Sequence, residues 1–153
     1  MPTFEASIEI DAPSEAIFDL THDYDRRLEW DPLLREARLL DGARRADVGV
    51  KSLCVGRGGL VGVGVETVYV SFERPTVAAV TMTSGPWFFE RFAASIRHVA
   101  LPGGATRVTY RGNVTTQPRW LRRVLDPIVL RRFGRETEQR LAALKRACEC
   151  AQG

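Results

Sequence analysis

From Pro118 to Cys150 the chain reads PRWLRRVLDPIVLRRFGRETEQRLAALKRACEC. Asp126 is a good N-cap, and Pro127 suits the first helical position, where no backbone donor is needed. Ile128, Leu130, Phe133, Leu141, Leu144 and Cys148 then fall at roughly helical spacing on one side. The stretch predicts a long final helix from Asp126, led in by a short separate helix over Pro118 to Leu125. Most of the chain from Val48 to Thr116 reads as strands. Strands followed by one long helix predict an α+β domain in which a curved antiparallel sheet is closed by the C-terminal helix. That arrangement encloses a cavity, and a cavity points to a small apolar ligand.

Working outward, Phe4, Ala6, Ile8 and Ile10 alternate with Thr3, Glu5, Ser7 and Glu9, a half-buried first strand. Pro13 stops it, with Asp11 or Ser14 as cap for a short apolar helix over Ala16 to Leu20. His22 to Arg27 is polar, a loop or second short helix. Pro32 biases Asp31 out of helix, and strands follow over Leu34–Leu40, Val48–Gly56, Leu60–Phe72, Thr76–Thr83, Phe89–Leu101 and Ala105–Thr116. The last two are joined by the hairpin signal Pro102-Gly103-Gly104.

At 153 residues, 44% hydrophobic and 27% charged, the chain fits one globular domain spanning 1–153. No apolar run approaches the roughly 20 residues of a membrane-spanning helix. The N-terminus lacks the basic-then-apolar order of a signal peptide, and three cysteines suggest free thiols rather than a disulfide framework. The expected location is cytoplasmic. Arginines cluster at Arg119, Arg122, Arg123, Arg131, Arg132 and Arg135. They are read as a solvated helix face, with an anionic lipid or phosphate surface as the alternative. Aromatics do not interleave the strands as a nucleic-acid platform requires. No metal set, and so no cofactor, emerges from two histidines and scattered carboxylates.

The order of strand, short helices, six strands and long helix resembles the helix-grip fold of the START-like, or SRPBCC, superfamily, also called Bet v 1-like. Ile8-Glu9-Ile10-Asp11-Ala12-Pro13-Ser14-Glu15-Ala16-Ile17-Phe18-Asp19-Leu20 resembles its opening strand, turn and helix. Trp30-Asp31-Pro32-Leu33 resembles its lead-in to the second strand, Gly104 to Tyr110 its penultimate hairpin, and Leu141 to Lys145 the end of its last helix. Within the superfamily the chain is most similar to the polyketide cyclase/dehydrase and lipid-transport group. The resemblance implies seven strands around the last helix, with two short helices after the first strand. These motifs maintain the fold and do not specify function.

Six residues are candidate ligand contacts. The run Trp87-Phe88-Phe89, with Phe92, is core packing or pocket lining, and on a concave sheet face the two coincide. Trp87, Phe89, Phe92 and Tyr110 are assigned apolar contacts. Glu66, grouped with Val68 and Val70 on one strand face, and His98, sharing parity with Phe92, Ala94 and Ile96, are assigned as polar anchors. An outward carboxylate and a satisfied core histidine are the bland alternatives. His22, beside Asp23, is either an exposed loop histidine or a guard at the cavity mouth. Cys54 reads as a small buried hydrophobe. The stretch Gly56 to Gly64 fails the dinucleotide spacing, since Val61 and Thr67 stand where glycines are needed; its glycines fit a turn and sheet curvature. The expected function is binding or carriage of a small hydrophobic ligand in a pocket of ~300–1,000 Å³. Alternatives are a cyclase/dehydrase-type enzyme using the same cavity and a protein-interaction module using the basic helix.

Overall fold

A computed structural model describes residues 3–57 and 64–152. Thr3–Ile10 forms β1, followed by the short helices α1 (Ser14–Thr21) and α2 (Arg27–Trp30). Six strands follow: β2 (Leu34–Leu39), β3 (Lys51–Gly56), β4 (Val65–Glu73), β5 (Val77–Ser84), β6 (Phe89–Ala100) and β7 (Thr106–Thr116). A 3-10 turn (Arg119–Leu121) leads into α3 (Arg122–Gln152). The strands make one antiparallel sheet in the order β1-β7-β6-β5-β4-β3-β2. This is the α+β helix-grip architecture, with the sheet curled around α3. The part of the expected fourth strand over 60–63, and most of the glycine stretch, lie outside the described residues.

Curvature has a local cause. Register shifts interrupt the β2–β3, β4–β5 and β6–β7 ladders at Leu34/Glu36, Glu66/Thr67, Tyr69/Ser71 and Phe89/Arg91. An extra residue on one strand bends that strand and increases its twist. α3 lies against β1 and β7. Ile10, Ile17, Phe18, Val108, Leu141 and Leu144 are buried in the larger core cluster, and Phe89, Val114 and Val129 in a smaller one.

Two capping expectations are corrected. α1 begins after Pro13 with no side-chain cap. Ser14 instead hydrogen-bonds Thr106 Oγ1 at 3.1 Å, and Thr106 Oγ1 donates to the Ala12 carbonyl at 2.9 Å, tying the turn to β7. α3 begins at Arg122, so Pro127 lies inside it. The Asp126 carboxylate turns away from its own helix and accepts from Thr116 N at 3.0 Å and Thr116 Oγ1 at 2.6 Å. Arg122 Nε donates to the Thr116 carbonyl at 3.0 Å. These contacts fasten the head of α3 to the end of β7.

Candidate functional site

Between sheet and α3 lies a cavity of about 140 Å³. It is smaller than the expected range because large side chains reach into it: Tyr24, Arg27, Tyr69, Phe92, Phe133 and Arg140 all contribute to its wall. Its sheet-side floor is small and apolar, from Ala78 and Val80 on β5 and Ala94 and Ile96 on β6. Tyr110 adds a ring from β7.

At one end the wall is polar. His22, the C-cap of α1, holds the Tyr69 hydroxyl at 2.9 Å through Nδ1, and that hydroxyl meets Tyr24 Oη at 2.8 Å. Ser52 and Thr67 pair across β3 and β4 at 3.0 Å. Asp31 accepts from Arg27 Nε at 2.9 Å, from Arg140 Nε at 2.8 Å and from the Leu33 backbone N–H at 3.1 Å. Arg27 also donates to the Thr21 carbonyl at 3.2 Å, and its guanidinium carbon sits 5.0 Å from the Trp30 ring centroid. Arg140 lines the cavity, and its terminal nitrogens have no hydrogen-bond acceptor among the described residues.

Burial sets the protonation states. Burial alone would raise the Asp31 carboxyl, but Arg140 and Arg27 outweigh it and hold the group below the ordinary aspartate range. Burial pushes the Cys54 thiol up, so it is no thiolate nucleophile. Burial, with the Arg27 charge beside it, lowers His22 to about 3, and burial lowers His98 to about 4. Both imidazoles are therefore neutral in the folded protein. Unfolded histidines take protons below about pH 6.5. Between about pH 6.5 and 4 the unfolded chain binds up to two more protons, so stability falls as pH falls, by up to about 2.7 kcal/mol per unit. Urea unfolding at stepped pH values would show this slope, and a flat profile across that window would refute the buried neutral pair.

The candidate residues divide. Phe92 and Tyr110 line the cavity. Phe89 is buried one step behind, its ring centroid 5.7 Å from Phe133, which Phe92 meets at 5.6 Å. His98 is buried on the concave face but packs edge-on against Phe18 at 5.3 Å, outside the cavity lining. Glu66 does not face inward. Val65, Thr67 and Tyr69 do, and Glu66 accepts from the exposed Thr83 hydroxyl at 2.8 Å. Trp87 precedes β6 and is 73% exposed, because the strand that would direct it inward starts two residues later. Tyr24, Arg27, Asp31, Tyr69 and Arg140 are not among the six candidates. The four-residue spacing of Arg27 and Asp31 was a local signal for part of this cluster.

The chain matches, over residues 1–149, the family described as polyketide cyclase/dehydrase and lipid transport. No curated protein matches it in sequence. Among solved structures it is similar to a START superfamily protein from Mycobacterium smegmatis, at 16% identity and TM-score 0.79, covering 97% of this chain and 98% of that one. An aromatase/cyclase from a Streptomyces species is 12% identical, with TM-score 0.78 and coverage of 96% and 93%. Norcoclaurine synthase from Thalictrum flavum, as a point mutant bound to a transition-state analogue, is 11% identical, with TM-score 0.75 and coverage of 99% and 96%. At these identities the likeness is one of fold.

Proposed function

The chain belongs to the polyketide cyclase/dehydrase and lipid-transport family, and on that premise we propose that it binds a small, largely apolar ligand between sheet and α3. The ligand's body lies on Ala78, Val80, Ala94, Phe92 and Tyr110, and its polar end meets the Arg140 guanidinium. One observation carries this reading: a cavity with an apolar floor ends at an arginine whose terminal nitrogens have no protein acceptor among the described residues. A guanidinium matches a carboxylate or an enolate, whose oxygens accept charge-assisted hydrogen bonds. A cyclase-type reaction would require an inward proton donor or acceptor. Glu66 faces away and His98 lies outside the lining; of the groups that do reach the wall, His22, Tyr69 and Tyr24 are tied to one another and Glu136 to Arg132, so binding is the reading the geometry supports best.

The test is titration with 2-naphthoate, which has a planar apolar body and a carboxylate. Saturable binding of one equivalent is expected. Ala94→Phe puts a ring into the cavity and should weaken binding at least about tenfold, at a stability cost of about 1–3 kcal/mol from overpacking. Unchanged affinity in that variant would move the binding site elsewhere.

A further inference from the structure

Trp87 and Trp120 are 73% and 79% exposed, while the third tryptophan, Trp30, is buried. Val124 and Ile128 are also exposed, at 59% and 53%. These four residues come to one end of the molecule. Trp120 lies in the 3-10 turn that leads directly into α3. Val124, Ile128, Arg131 and Arg135 follow along one helix face, at spacings of four, three and four. Trp87 is held beside the same turn: Gln117 donates its backbone N–H to the Phe88 carbonyl at 2.9 Å and its side-chain amide to the Trp87 carbonyl. Arg122 donates to Glu90 at 2.9 Å, fixing the head of α3 against the start of β6.

The charge of this end is equally lopsided. Residues 119–135 hold six arginines against one aspartate, a net of five positive charges in a chain whose total is +3. Asp126, the one acid, is buried and occupied by Thr116. Arg122 is spent on Glu90 and Arg132 on Glu136. Among the described residues, Arg119, Arg123, Arg131 and Arg135 form no salt bridge. A second copy of the chain would bring two such cationic ends together, which like-charge repulsion opposes. Single-stranded nucleic acid would use the rings but not the aliphatic Val124 and Ile128. A surface that takes indole rings at the headgroup level, aliphatic side chains just beneath and arginines against phosphates is an anionic bilayer.

We propose that the end formed by Trp87, Trp120, Val124 and Ile128, with Arg119, Arg123, Arg131 and Arg135, docks on an anionic membrane surface. No helix among the described residues is long and apolar enough to cross a membrane, so the attachment is peripheral. The inference goes beyond ligand binding and stands whether or not the cavity holds a ligand.

The test uses the full chain with vesicles of phosphatidylcholine, pure or containing roughly one-third phosphatidylglycerol. Cosedimentation should show at least about tenfold more protein on the anionic vesicles at low salt, falling steeply as salt rises. Tryptophan emission should shift to the blue; Trp30 is already buried, so the shift reports Trp87 and Trp120. The double variant Trp87→Ala, Trp120→Ala alters only exposed side chains and should keep the far-UV spectrum while losing most of the binding and the shift. Equal partition onto neutral and anionic vesicles, no partition at all, or full binding by the double variant would each overturn the proposal. So would binding confined to a single-stranded oligonucleotide.

Discussion

Asp31→Ala lowers the unfolding free energy by about 3–5 kcal/mol, read as a shift of the urea midpoint at unchanged slope. Asp31 is 1% exposed, and its carboxylate is shared by Arg27 and Arg140. Removing it leaves two guanidiniums facing each other at a low-dielectric wall with no anion between them. The comparison is Asp19, which Arg74 grips through two hydrogen bonds of 2.7 and 2.8 Å, with both side chains more than half exposed. Solvent screening reduces that pair to at most about 1 kcal/mol, so Asp19→Ala should be nearly silent. Location, and not bond length, separates the two. A pH signature accompanies the loss. A carboxyl whose folded pKa is depressed contributes stability above its unfolded value near 3.9, and that stability is lost as pH falls through the lower folded value. Asp31→Ala therefore removes part of the acid limb below about pH 4 and leaves the histidine limb above it intact. A loss under about 1 kcal/mol would mean the two arginines relax to solvent, and the cluster would not be a fixed wall of the site.

Phe18→Ala is expected to cost about 3–5 kcal/mol. Phe18 is 1% exposed, and its ring lies 4.6 Å from His22, 5.1 Å from Phe72 and 5.3 Å from His98, centroid to centroid. Deleting it removes the apolar body that keeps both imidazoles dry. The stability change alone would follow from any large core residue. The distinguishing readout is the histidine titration by NMR, where both groups should move up toward the ordinary value near 6.5. Unmoved histidines in a destabilised variant would show that Phe18 packs the core without controlling the polar end of the cavity.

Much of the fold is legible along the chain because its signals are local. Ala12-Pro13-Ser14 breaks β1, Pro102-Gly103-Gly104 turns β6 into β7, and the helical stripe from Leu130 to Cys148 fixes α3. The site is less legible. On β4 both faces carry apolar residues, Val65 and Tyr69 on one and Val68 and Val70 on the other, so alternation could not orient Glu66. The bulge at Tyr69/Ser71 then shifts the parity, and Phe72 joins the inner face. The aromatic run was divided by the position of the strand start: Phe89 enters β6 and is buried, while Trp87 stays outside. Arg140 reaches Asp31 across 109 positions of sequence, and no periodicity or spacing rule bridges that distance.

The strand order carries a consequence for how the chain is made. Among the described strands β1 pairs with β7 alone, with Thr3 opposite Asn113 and Ile10 opposite Thr106. At a synthesis rate of about 5–20 residues per second, the first strand waits roughly five to twenty seconds on the ribosome before its partner exists. Throughout that interval Phe4, Ile8 and Ile10 have nothing to cover them, and an unpaired strand with an apolar face is an open template for other chains. Glu5 and Glu9 stand between those residues on the opposite face, where they later meet Arg111 and Arg107 at 3.9 and 3.1 Å. In the finished protein such exposed pairs contribute little. Before β7 exists the same two acids lack their arginines, and unpaired charge on a strand is a feature that opposes edge-to-edge pairing with other chains.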